Sequence, residues 1–211
     1  ERALRCRPGG IALFTAASES FSRRNVNASI AETFVRFGPV VEAAKAAGIP
    51  VRGYVSTAFG CPYEGDVPYS AVLDVARKLR DLDVAEIVLS DTIGVATPKQ
   101  VAELVKSARA EMPVKQIALH FHDTRGTALA NVLASLQLGI TTFDSSAGGL
   151  GGCPFAPGAT GNLATEDLLY MLDGLDIETG VSLSGVVEAS QYLFEQTGRM
   201  PSSRYFRAAV S

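Results

Sequence analysis

At 211 residues, 47% of them hydrophobic, the chain has enough apolar material for one large domain or two small ones. A net charge of −3 and a pI near 5.5 offer no basic surface to nucleic acid. No long apolar run marks a membrane span and no charged-then-apolar leader marks secretion, while three scattered cysteines (Cys6, Cys61, Cys153) fit a reduced, cytoplasmic setting rather than a disulfide framework.

The first predicted strand covers 11–16 and runs into polar residues from Ser18-Glu19 towards Asn25. A helix is predicted over 29–47, with Ser29 and Glu32 as a capping box and Gly48 as its stop. The strand over 51–57 carries Arg52, Tyr54 and Ser56 at alternate positions, and a helix over 70–82 follows. The strand over 85–89 ends at Ser90-Asp91-Thr92, before a helix over 98–111 opened by Thr97-Pro98. Then come a strand over 117–122, a helix over 127–138 stopped by Gly139, and a strand over 141–144. Helices over 163–172 and 183–197 close the pattern.

Alternating strands and helices imply a parallel sheet. Each unit takes roughly the 30 residues of a strand plus crossover. Five units fit the C-terminal part of a (β/α)8 barrel plus a C-terminal helix, and a five-stranded open sheet competes with it. No linker or charge block divides the chain, so residues 1–211 read as a single, partial barrel domain.

In both architectures sites form at the C-terminal ends of strands. The only two histidines, His120 and His122, stand there two residues apart. On a strand that spacing projects both rings to one face, as a chelating pair for a divalent metal requires. Asp91 is a candidate acid, because Gly94 and Pro98 delay the next helix. Asp144 reads instead as an N-cap. Four glycines among residues 148–152 make a loop that would present Cys153 as acid, base or nucleophile, whereas Cys61 reads as structural. Asn162 precedes a helix, either as its cap or with its amide oxygen serving a metal. Glu166, four residues on, could orient it.

The segments Arg52-Gly53-Tyr54-Val55-Ser56, Gly60-Cys61-Pro62-Tyr63-Glu64-Gly65, Asp91-Thr92-Ile93-Gly94-Val95, His120-Phe121-His122-Asp123-Thr124, Gly148-Gly149-Leu150-Gly151-Gly152-Cys153-Pro154 and Gly161-Asn162-Leu163-Ala164-Thr165-Glu166-Asp167 resemble the hydroxymethylglutaryl-CoA lyase family, from about Ile11 onward. The glycine-rich loop with its cysteine separates this family from the related isopropylmalate and homocitrate synthases and aldolases. The resemblance implies a TIM barrel, Mg²⁺ or Mn²⁺, and cleavage of an acyl-CoA, 3-hydroxy-3-methylglutaryl-CoA, to acetyl-CoA and acetoacetate. It also implies a homo-oligomer and a place in leucine degradation and ketone-body formation. Carried over residue by residue, His120, His122 and Asn162 match metal ligands, and Cys153 the loop cysteine. Asp91 matches an active-site acid, Asn25 and Tyr54 match groups near the acyl chain, and Glu166 the acid behind the asparagine. His120 or Asp91 would be the base, and Cys153 or His120 the acid that protonates the enolate.

The family's first strand carries an Arg-Asp pair, the Asp being a further ligand, and its second unit a glutamate; none has a counterpart here. The sequence thus reads as a lyase whose first units are not shown, as a poorly active fragment of one, or as a related Claisen-type synthase or aldolase acting on 2-oxo acids. Alone, these residues would leave the first strand an exposed edge and would self-associate or retain little soluble fold.

Overall fold

The computed structural model describes residues 2–152 and 161–210. β1 (Ile11–Ala16), β2 (Val51–Ser56), β3 (Glu86–Asp91), β4 (Ile117–Phe121) and β5 (Phe143–Asp144) pair in parallel in the order β1-β2-β3-β4-β5. The described helices are α1 (Arg2–Cys6), α2 (Glu19–Val26), α3 (Ile30–Ala46), α4 (Tyr69–Asp81), α5 (Pro98–Arg109), α6 (Ala128–Leu136), α7 (Thr165–Asp173), α8 (Leu183–Thr197) and α9 (Arg204–Ala209).

Parallel crossovers are right-handed, and an order that never reverses places every crossover helix on one face of the sheet. A doubly wound sheet would reverse at a switch point. Alternation along each strand then sorts the residues. Leu13, Val55, Ile87, Leu89, Ile117 and Leu119 are buried against the helices, in one core with Val72, Leu79, Val101, Leu104 and Val132. The opposite face carries Phe14, Arg52, Tyr54, Glu86, Ser90, His120 and Asp144.

That second face is concave. Arg52 and Tyr54 on β2 both hydrogen-bond Asp144 on β5. Three strand spacings in a flat sheet would hold these residues roughly 14 Å apart, with side chains standing perpendicular and unable to meet. Phe14, on the concave side of the edge strand β1, stays 40% exposed.

The expected caps form. Glu32 N donates to Ser29 Oγ at 3.1 Å and Ser29 N to Glu32 Oε2 at 2.7 Å. Pro98 opens α5, and Gly48 and Gly139 adopt positive φ past their helices. Three short helices, α1, α2 and α9, were not expected, because segments this brief show little periodicity. Side-chain caps start two of them, through Ser18 and Ser203. β5 is shorter than expected, and β4 stops at Phe121. His122 instead forms an isolated antiparallel bridge with Asn162. α7 consequently starts at Thr165 behind an Ala164 cap, so Asn162 is extended chain and not the helix N-cap.

Candidate active site

An open cavity of about 560 Å³ sits at the C-terminal ends of the strands, lined among others by Asn25, Tyr54, Ser56, Ser90, His120, His122 and Asn162. Each reaches it for a local reason. Ser18 caps α2, which carries Asn25 over the end of β1. Strand alternation aims Tyr54 and Ser56 into the concavity, and likewise Ser90, the register partner of His120. The rings of His120 and His122 have centroids 5.3 Å apart. The bridge to His122 brings in Asn162, whose Nδ2 donates to the Leu150 carbonyl at 2.8 Å. That bond turns the amide oxygen the other way.

Three buried polar atoms in this cavity have no hydrogen-bond partner among the described residues: His122 Nδ1, Asn162 Oδ1 and Ser90 Oγ. Unpaired buried polar atoms are costly and rare, and a ligand that pairs them removes the cost. Burial, and then the neighbouring His120, push the His122 pKa down to about 4, so the ring is neutral near pH 7, the state that binds a cation. Two imidazoles and an amide oxygen suit a divalent cation with open positions. Among the described residues no cluster of three or more His, Cys, Asp or Glu side chains supplies a further acidic ligand.

Behind His120 stands Asp144, expected as an N-cap and found in a polar network instead. Its Oδ1 accepts from Arg52 Nη1 at 2.6 Å; its Oδ2 accepts from Tyr54 Oη at 2.9 Å and lies 3.2 Å from His120 Nδ1. Arg52 also pairs with Glu86. Burial opposes ionisation of Asp144, but the His120, Arg52 and Tyr54 contacts outweigh it and hold the carboxyl below its usual range. Burial and the Asp144 charge push the Tyr54 hydroxyl up to about 12, which keeps it a donor.

Two further expectations are corrected. Asp91 does not line the cavity. Alternation puts it on the helix side with Leu89, where its oxygens accept from Val95 N at 2.9 Å and Ala96 N at 3.0 Å and shape the turn before α5. Glu166 does not touch Asn162, because residue 162 lies outside the helix and the four-residue spacing has no helical meaning there. It is fully buried, accepts from Gly148 N at 2.9 Å and from the Ser190 hydroxyl, and fastens the start of the glycine-rich segment. Gly148 has a positive φ, and a Cβ there would collide with the Phe194 ring. Cys153 lies outside the described residues. Cys61 is buried with its Sγ 2.9 Å from Ser18 Oγ, as a structural cysteine should be.

Burial pushes the Asp91 pKa up to about 6, against the opposing pull of its backbone hydrogen bonds. A raised folded-state pKa means that the folded chain holds the proton more tightly. The stability contributed is full below the unfolded pKa and lost as pH rises through about 6. Urea unfolding of wild type and Asp91→Asn at pH 5 and pH 7 is expected to show wild type losing about 1 kcal/mol more over that interval. Parallel pH profiles would contradict the assignment.

The fold and cavity define a class: a singly wound parallel α/β protein with a paired-histidine site at the strand ends. A family profile described as HMGL-like matches residues 1–193, earlier at the start than the motifs had suggested. The chain belongs to that family. It is 52% identical over 198 residues to a mitochondrial hydroxymethylglutaryl-CoA lyase of Rattus norvegicus, covering 94% of this chain and 61% of the relative's length. It superposes with a TM-score of 0.95 on a hydroxymethylglutaryl-CoA lyase structure from Pseudomonas aeruginosa at 48% identity, covering 99% of this chain and 70% of the other. An HMG-CoA lyase from Acenitobacter baumannii, in complex with coenzyme A and 3-methylmalate, matches with a TM-score of 0.93 at 36% identity, covering 98% of this chain and 68% of that one.

Proposed function

We propose that this chain forms the strand-end site of a hydroxymethylglutaryl-CoA lyase, built on units of a (β/α)8 barrel. The enzyme would cleave 3-hydroxy-3-methylglutaryl-CoA to acetyl-CoA and acetoacetate. The observation that carries this is the group of unpaired buried acceptors in the cavity, His122 Nδ1 and Asn162 Oδ1, beside His120 in a chain half identical to lyases. The coenzyme A complex of a relative supports a thioester substrate.

His120, His122 and Asn162 would hold Mg²⁺ or Mn²⁺. A cation bound there supplies Lewis-acid polarisation and alignment of the substrate's oxygens. Asn25, Tyr54 and Ser56 line the space for the acyl part. Loss of the tertiary hydroxyl proton lets the C–O bond become the ketone of acetoacetate. The adjacent C–C electron pair leaves as the enolate of acetyl-CoA, which then takes a proton. Of the two candidate bases, His120 faces the cavity and Asp91 does not. His120 has one ring nitrogen clear of Asp144; with the cation held there it does not take the hydroxyl proton, which would pass to a water of the open cavity. Cys153 is the proposed acid that protonates the enolate.

The test is turnover with Mg²⁺ or Mn²⁺, comparing 3-hydroxy-3-methylglutaryl-CoA with acetyl-CoA plus 2-oxo acids. Release of acetoacetate and acetyl-CoA supports the lyase. Condensation with a 2-oxo acid overturns it.

A further inference from the structure

We infer that Asp144 is a positioning residue. It locks His120 in the tautomer protonated on Nδ1, so that Nε2 is the nitrogen presented to the cavity. This deepens the proposed site and rests on that reading only for what Nε2 then binds.

A carboxylate can only accept, so the 3.2 Å contact between Asp144 Oδ2 and His120 Nδ1 requires the ring nitrogen to donate. The carboxylate is itself fixed from the other side. Arg52 Nη1 donates to Oδ1 at 2.6 Å and Tyr54 Oη to Oδ2 at 2.9 Å. Arg52 is in turn paired with Glu86 on the neighbouring strand. Asp144 thus cannot rotate away without breaking two other bonds. It sits in register with His120 across β4 and β5, and it does not itself line the cavity. A carboxylate behind an imidazole sets both the ring's orientation and which nitrogen is free.

The arrangement makes a sharp prediction for Asp144→Asn, which keeps size and shape. One oxygen becomes an NH₂ group. Turned towards Arg52 it would meet a cationic donor, so the amide oxygen stays on Arg52 and the NH₂ faces Tyr54 and His120. His120 Nδ1 must then accept, and the proton moves to Nε2.

This chain has only two histidines, so ¹⁵N-histidine labelling reports two rings. His122→Gln assigns them. At pH 7.5 without metal, wild type is expected to show His120 protonated on Nδ1, and Tyr54→Phe to leave it so. Asp144→Asn should show His120 protonated on Nε2, with Mn²⁺ affinity down by about 10- to 100-fold. An Nε2-protonated His120 in wild type overturns the inference, even if the variant fails to fold. An Nδ1-protonated ring in Asp144→Asn overturns it equally. These readouts need no turnover: a chain with the tautomer switch that condenses acetyl-CoA with a 2-oxo acid would refute the proposed reaction and leave Asp144's role standing.

Discussion

Replacing His122 by alanine is expected to cost more than about 10²-fold in Mn²⁺ affinity and to remove the proposed lyase turnover, with little change in the stability of the metal-free protein. Changes to groups that merely hydrogen-bond a metal-binding histidine cost about 10- to 100-fold, so loss of a ligand itself should exceed that range. The stability expectation comes from the ring's surroundings. Its Nδ1 is buried with no partner among the described residues, and removing an unsatisfied polar group offsets part of the packing lost. Mn²⁺ titration followed by electron paramagnetic resonance, with thermal melts of the metal-free protein, measures both. An affinity within about threefold of wild type would remove His122 from the site.

Glu166→Ala is expected to act in the opposite way, through stability first. The carboxylate is fully buried and serves Gly148 N and the Ser190 hydroxyl. Truncation leaves both donors without it and opens a cavity, together about 3–5 kcal/mol. For a chain of this size that lowers the melting temperature by roughly 10 °C. Glu166→Gln keeps one carbonyl oxygen and should lose less than half as much. If Glu166 instead acted by orienting Asn162, the alanine variant would melt within 2 °C of wild type and bind Mn²⁺ weakly. That outcome would overturn the structural role described for it.

The sequence by itself determined what depends on near neighbours. Ser29 with Glu32, Thr97-Pro98, Gly48 and Gly139 bounded helices where they form, because caps and C′ glycines act within a turn. The two-residue spacing of His120 and His122 foretold a shared cavity, even though β4 ends between them. The same alternation held a further signal: Ser90, not Asp91, shares the concave face with His120, and strand parity alone would have separated them.

Tertiary structure decided the partners of the acids. Asp144 meets Arg52 and Tyr54 because the sheet curls enough for β5 to face β2, and no local pattern encodes that curvature. Glu166 turned to Gly148 and Ser190 because the bridge between His122 and Asn162 keeps residue 162 extended and α7 starts only at Thr165. Helical spacing has meaning only inside a helix, and where this one begins is set by a contact 40 residues away in the chain. Strand order likewise separates a singly wound sheet from a doubly wound one, since both could place the same residues in the same strands.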